Sequence, residues 1–342
     1  MSGFARTLIR WQRRHGRHDL PWQHTRDPYR IWLSEVMLQQ TRVDAVIPYY
    51  ERFLERFPDV RALARASQDE VLRLWSGLGY YARARNLHAA ARQIVRMHAG
   101  RFPRSPEALA ALPGVGRSTA AAIAVFAFGR RAAILDGNVR RVLARCFGIE
   151  GYPGRPAVAQ RLWSLAESLL PQHSIRGYTQ GLMDLGATVC VRARPRCNIC
   201  PFAAECVAVR RGRVDRIPAP RPQAARPVRD TRWLVLVHDG RVLLERRPSS
   251  GLWGGLWIFP QAEKWDARSV RRLLGCEIAS LRPLPPLEHG FTHFRLRVRP
   301  LLCEVRAAAP YAGSPSHRWL GIAQAARSAV PAPVKKLLQA LA

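Results

Sequence analysis

Apolar positions in the first two thirds of the chain recur at three- and four-residue intervals, whereas those in the last third alternate or run together. The helical period predicts helices over 31–41, 58–66, 69–74, 82–97, 118–128, 139–146 and 157–170. Glycine- and proline-bearing breaks at 77–79, 113–114, 129 and 153–154 separate them. Phe4, Leu8 and Trp11 share one face of a further amphipathic helix at the start. After residue 230 the pattern changes. Two β-type runs, 232–238 and 241–246, flank Asp239-Gly240, a strong short hairpin signal. Residues 291–304 alternate like a strand, and helices are expected over 267–274 and 333–341. Between the halves, the spaced prolines of 217–229 sustain neither helix nor central strand. The pattern predicts an all-α domain over 1–217, an extended linker over 218–230 and an α+β domain over 231–342, with no internal repeat.

Charge narrows the class. The chain has 342 residues and a formal net charge of +31. Residues 1–217 carry 35 basic and 16 acidic side chains, and residues 218–342 carry 20 and 8, so both halves are basic. A surplus of this size on a globular chain points to a polyanionic partner, nucleic acid foremost. No stretch approaches the ~20 apolar residues that span a bilayer, and the start lacks the apolar core of a secretory signal. A cytoplasmic, monomeric protein with no membrane partner is expected. Of the seven cysteines, Cys190, Cys197, Cys200 and Cys206 crowd into one loop. That is a metal-site pattern rather than a disulfide framework, open on spacing alone to a structural zinc or an iron–sulfur cluster. Cys146, Cys276 and Cys303 read as isolated, buried small residues.

Candidate chemistry lies in three further places. In Leu112-Pro-Gly-Val-Gly-Arg-Ser-Thr-Ala120, Gly114 and Gly116 allow a tight turn ahead of a helix whose first N–H groups suit an anion such as a DNA phosphate. Helices on both sides favour a phosphate-binding helix-hairpin-helix over an ordinary connection. Glu35 sits mid-helix among Ile31, Trp32, Met37 and Leu38, where burial makes a carboxyl keep its proton and suits it to general-acid work. Asp136, in Leu135-Asp-Gly-Asn-Val139, reads on its own as a helix cap.

These motifs resemble those of the endonuclease III superfamily of DNA glycosylases. Ser34-Glu-Val-Met-Leu-Gln-Gln-Thr41, Gly77-Leu-Gly-Tyr-Tyr-Ala-Arg-Ala-Arg-Asn86 and the C-terminal half narrow the likeness to the MutY-type adenine DNA glycosylase family, from about Leu20 to the end. The resemblance implies that Glu35 protonates N7 of adenine and then helps activate water, that Asp136 stabilises an oxocarbenium-like transition state, and that Asn138 supports Asp136. It implies one [4Fe–4S] cluster on Cys190, Cys197, Cys200 and Cys206 within the loop 190–206, structural in role, with Arg192, Arg194 and Arg196 facing DNA. Leu38, Gln40, Thr41 and Tyr80 match positions that insert around or bond to an opposing 8-oxoguanine. Trp22, Gln180 and Ser118 match the neighbourhood of the adenine pocket. On the residues alone, Trp22 and Tyr80 read equally as core aromatics. Lyase members of the superfamily carry a lysine where this chain has Ser118, which implies glycosidic cleavage without efficient strand nicking.

Gly251-Leu-Trp-Gly-Gly-Leu-Trp-Ile-Phe-Pro260 resembles the MutT (Nudix) fold. The segment after Pro260 lacks the Arg-Glu-x-x-Glu-Glu helix that holds metal in hydrolases of that fold, so recognition without hydrolysis is expected. Phe291-Thr-His293 stands where the family places a Phe-Ser-His loop that checks 8-oxoguanine. Thr292 keeps the hydroxyl and adds a methyl. Without the resemblance, His289 and His293 read as strand-surface histidines. The implied partner is double-stranded DNA carrying 8-oxoguanine:adenine or guanine:adenine mispairs, and the implied residence is the bacterial nucleoid.

Overall fold

The computed structural model describes residues 3–222, 225–261, 267–308 and 316–341. The contacts divide the chain into two compact units, Met1–Ala64 with Ala89–Gln223, and Arg65–His88 with Ala224–Ala342.

The described part of the first unit is helical. Helix Gly3–His15 buries Leu8 and Trp11 as its pattern predicts, and adds Ala5, Ile9 and Gln12. It lies against helix Ile175–Asp184, where a Cβ at Gly181 would meet Gln12 Cβ and Leu8 Cγ at 3.1 Å. That close approach leaves little room for a side chain, and Gly177 and Gly181 are also why this helix escaped the sequence pattern, since glycine reads as a breaker. Helix Val43–Arg56 escaped it too. Pro48 interrupts it, and a proline inside a helical run reads as a stop.

Helix Pro28–Leu38 starts at Asp27, whose carboxylate accepts from the Tyr29 N–H at 2.9 Å, with proline at its first position. Tyr29, Ile31, Trp32, Leu33, Ser34, Val36 and Met37 are all buried, so the helix is enclosed nearly all round. The Tyr29 hydroxyl donates to the Phe57 carbonyl at 2.7 Å, and Trp32 meets Phe102 edge to face at 5.4 Å. Helix Arg117–Phe128 is central. Ala120, Ala121, Ala122 and Ala124 are buried along it, small enough to let neighbouring backbones come close. Helix Gly137–Phe147 follows, with Asp136 as its N-cap and Gly148 closing it at φ +68°.

The second unit holds a seven-stranded mixed sheet: β1 (Val228–His238), β2 (Arg241–Arg246), β3 (Trp257–Ile258), β4 (Cys276–Pro283), β5 (Leu287–Gly290), β6 (Arg295–Ala308) and β7 (His317–Gly321). The order is β3-β2-β1-β6-β4, with β5 on β6 and β7 on β2. β1 and β2 form the expected antiparallel hairpin, and Asp239 and Gly240 both have positive φ as a type I′ turn requires. β1 and β6 run parallel from Val228↔Arg295 to Val237↔Glu304. Leu234, Leu236, Leu243, Val270, Leu274, Cys276, Cys303 and Val305 make a core on the sheet, and Trp233 and Val235 are buried as well. A strand covered on both sides reads as an unbroken apolar run.

Two expectations are corrected. β1 begins at Val228, inside the stretch read as linker, because residues 228–230 find ladder partners on β6. The strand read over 291–304 starts only at Arg295. Residues 291–294 form a tight turn closed by Phe291 N–H to Phe294 O at 2.9 Å. Helix Ala267–Leu274 is present as predicted. Residues 262–266, part of the segment read as lacking metal-binding acids, lie outside the described residues.

Residues 65–88, read as part of the helical half, share the second unit. Ser76 Oγ and Tyr81 OH both donate to Val330 O, at 3.2 and 3.3 Å, and Arg85 Nη1 donates to Gly254 O at 2.8 Å.

Candidate active site

A cavity of about 350 Å³ opens in the first unit, and Glu35, Trp22 and Gln180 all line it. Burial pushes the Glu35 carboxyl from an ordinary 4.5 up to about 8, and the negative charge of Asp136 adds to the rise. Glu35 lies between buried Ser34 and Val36 on its helix, while the cavity it lines is walled mostly by polar residues, Arg17, Arg26 and Arg176 among them; a second carboxylate lies within electrostatic reach. Trp22 is both core and cavity wall: it is nearly buried, meets Tyr50 edge-on at 5.3 Å, and still lines the opening.

Asp136 caps its helix by accepting from the Val139 N–H at 2.7 Å. Burial raises its carboxyl, while the Val139 and Asn138 N–H groups and the Arg141 and Arg140 charges pull the other way. Asp136 does not line the cavity itself; the helix's first N–H groups hold its carboxyl within electrostatic reach of Glu35. The Asn138 N–H acts on the Asp136 carboxyl only by opposing its rise. The Asn138 side-chain Oδ1 accepts from Arg141 Nη2 at 2.8 Å. Arg141 continues to the carbonyls of Gly186 and Cys190, both at 2.7 Å.

Ser118 does not line the cavity. Its Oγ accepts from the Leu135 N–H at 2.9 Å, tying the hairpin helix to the segment that carries Asp136. The hairpin itself has the expected form. Gly114 sits at φ +74°, and Gly116 caps helix Arg117–Phe128 without a side chain. Arg117 turns away from the hairpin's open N–H groups, over the Trp163 ring at 3.8 Å and onto Glu167. The turn after helix Pro28–Leu38 reaches the same hairpin, through a residue the pattern did not single out: Gln39 Nε2 donates to Thr119 Oγ1 at 3.3 Å and to Gly114 O at 3.5 Å. Beside it, Gln40 is exposed with φ +58°, a conformation that non-glycine residues adopt at some cost. Leu38 and Thr41 flank it, half-buried.

Within the second unit, Tyr80 and the 291–293 turn come together. Tyr80 OH lies 3.4 Å from Thr292 Oγ1. Tyr80 has φ +48° and is 49% exposed, which settles its reading as a presented aromatic rather than a core one. Arg83 fixes the turn beneath it by donating to Leu78 O and Gly79 O, both at 3.1 Å. Phe291 stacks on Phe294 at 4.5 Å and meets His289 at 4.7 Å and Trp253 at 5.6 Å. Thr292 and His293 are left exposed at the tip. His289 is no plain surface histidine, since burial lowers its pKa.

Cys190, Cys197, Cys200 and Cys206 line one apolar cavity, and Cys146 lines it with them. Cys146 is thus not isolated: it lines the same cavity as Cys206, whose thiol its proximity lowers to about 6 and whose Sγ donates to Arg145 O at 3.4 Å. Arg145 is almost fully enclosed here. It donates to the carbonyls of Ile217, Val191 and Arg192 and, at 3.4 Å, to Cys190 Sγ. Among the described residues no three His, Cys, Asp or Glu side chains are gathered tightly enough for a single metal ion. Four thiols around one apolar cavity are a donor set that suits a thiolate-held metal centre. Arg192, Arg194 and Arg196 are exposed on this loop.

Comparison with known proteins gives the family. Residues 33–168 match the HhH-GPD superfamily of base excision DNA repair proteins, and residues 232–340 match the NUDIX domain. The adenine DNA glycosylase of Buchnera aphidicola subsp. Acyrthosiphon pisum (strain APS) is 34% identical over 342 residues, covering 98% of this chain and 97% of that protein. The adenine DNA glycosylase of Homo sapiens is 34% identical, covering 99% of this chain and 74% of that protein. Among solved structures, a thermostable thymine-DNA glycosylase is 32% identical with a TM-score of 0.55, over 61% of this chain and 95% of that one. An endonuclease III–DNA complex, 21% identical with a TM-score of 0.52 over 61% of this chain and 94% of that one, shares the fold.

Proposed function

The chain belongs to the adenine DNA glycosylases of base excision repair, hydrolases of N-glycosyl bonds, and we propose that its substrate is adenine mispaired with 8-oxoguanine or, less well, with guanine. Removing that adenine lets repair restore cytosine and prevents G:C to T:A transversions. The observation that supports this most is the placement of Glu35, a carboxyl at about 8 on the wall of a cavity shared with Trp22 and Gln180, within the field of Asp136.

The target adenine leaves the stack and enters that cavity. Glu35 gives its proton to N7, so the base departs neutral as the bond to C1′ breaks. Positive charge grows on the sugar, and the Asp136 carboxylate, held by backbone N–H groups, stabilises it. Water then adds at C1′ and its proton passes to Glu35. Ser118 offers no amine for a Schiff base, so the strand stays whole.

Gly114 and Gly116 let the hairpin backbone meet a phosphate. Leu38, Gln40, Thr41 and Tyr80 fill or read the disturbed pair, and the Phe291–His293 turn reads the 8-oxoguanine. Residues 1–217 would then be the glycosylase part, with residues 231–342 reading the opposing base without hydrolysing nucleotides. Cys190, Cys197, Cys200 and Cys206 would hold one [4Fe–4S] cluster. Such a cluster offers electron transfer, which glycosidic hydrolysis does not use, so its part here is to shape the loop that presents Arg192, Arg194 and Arg196 to DNA. The chain would act as a cytoplasmic, nucleoid-associated monomer. A gel assay on an 8-oxoguanine:adenine duplex tests the reading: breaks should appear only after alkali or heat, and breaks before either treatment would refute the hydrolytic mechanism.

A further inference from the structure

One buried carboxylate takes part in none of these steps. Asp184 ends helix Ile175–Asp184 with its side chain fully enclosed. It accepts from the Arg17 N–H at 3.1 Å, from Arg17 Nε at 2.7 Å and from Gln180 Nε2 at 2.9 Å. Gly16 makes the approach possible, because a Cβ there would meet Gln12 O at 2.5 Å and Asp184 Oδ2 at 3.0 Å. Gln180 and Asp184 are one helical turn apart and face the same way.

The consequence lies in the other end of the Gln180 amide. A carboxylate only accepts hydrogen bonds, so Gln180 must turn its NH2 toward Asp184. Its Oε1 has no partner among the described residues, and the residue lines the cavity that holds Glu35. We propose that Asp184 is a positioning residue that makes this cavity selective for a purine with a 6-amino group, by fixing Gln180 with its carbonyl as the acceptor offered to the base. The N6–H of adenine satisfies such an acceptor, whereas a base without that donor leaves it empty. This rests on the reading that the cavity receives adenine.

The test is single-turnover release from 8-oxoguanine duplexes that carry either adenine or unsubstituted purine, which lacks the amino group. Dividing the wild-type ratio of rates by the Asp184→Asn ratio cancels the difference in leaving-group chemistry. The adenine:purine ratio should fall about three- to tenfold in Asp184→Asn, the worth of one hydrogen bond. It should fall equally in Gln180→Leu, and no further in the double variant. A purely structural Asp184 would slow both bases alike and leave the ratio unchanged, which overturns the proposal. If Asp184→Asn fails to fold, Arg17→Gln loosens the same carboxylate from a partly exposed position, and the ratio must fall there as well. A wild-type protein that releases no adenine would instead refute the functional reading beneath it.

Discussion

The carboxylate of Asp136, held at 2.7 Å by the Val139 N–H at the start of its helix, raises the hold of Glu35 on its proton. Burial contributes more to the rise, but the pairing divides the labour. In the proposed mechanism Glu35 would keep its proton for the base, while the N–H groups at the helix start oppose the rise that burial imposes on Asp136, the carboxyl proposed to face the sugar.

The raised Glu35 fixes a pH dependence. Adenine release should be lost above pH about 8 as Glu35 gives up its proton, with a slope near tenfold per pH unit. Stability should respond as well. Between 4.5 and about 8 the folded protein holds a proton that the unfolded chain releases, so stability falls as pH rises through that window. Glu35→Gln removes the effect and should be more stable than wild type at pH 8 by on the order of 2–4 kcal/mol. The gap should close near pH 4.5. Urea midpoints at the two pH values check this, and a gap that does not change with pH would count against it.

Asp136→Asn separates capping from chemistry. Asparagine caps as well as aspartate, so the melting temperature should hardly move. Release of adenine should drop by about 10²–10³, the usual effect of losing one well-placed electrostatic partner. Loss of stability in step with activity would mean that the cap alone is at work.

Tyr80 and Thr292 should set the preference for 8-oxoguanine over guanine. Point variants are the cleaner test here, because residues 65–88 share a unit with residues 224–342 and deleting the C-terminal half would strip them of their partners. Tyr80→Ala and Thr292→Ala should each cut the ratio of adenine release opposite 8-oxoguanine to that opposite guanine, with Thr292→Ser near wild type. An unchanged ratio in both alanine variants would remove this pair from the reading of the lesion.

Metal content decides the cysteine site. Purified protein should carry four irons and four inorganic sulfides per chain and lose them together in Cys197→Ser. One zinc per chain would contradict the cluster.

Much of this was legible in the sequence, for physical reasons. Glu35 stood out because its helix is apolar on nearly every side, and Asp239-Gly240 because a two-residue turn dictates its own conformation. The family roles came by resemblance, and the fold brings Glu35, Trp22 and Gln180 to one cavity. What stayed hidden depends on contacts far along the chain. Asp184 matters through Arg17, Gln39 through Thr119, and Arg145 through the carbonyls of Val191, Arg192 and Ile217. Cys146 looked solitary because Cys206, which lines the same cavity, lies sixty residues on. Glycine and proline, the usual punctuation of a chain, misled twice: Gly181 serves helix packing and Pro48 sits inside a helix.

The central claim is that Glu35 supplies the proton that frees adenine. Its most direct test is single-turnover release from an 8-oxoguanine:adenine duplex by wild type and Glu35→Gln, with duplex affinity measured alongside. The account predicts adenine release by wild type, none detectable from Glu35→Gln, and duplex affinities within a few-fold of each other. Release by Glu35→Gln at the wild-type rate would contradict it.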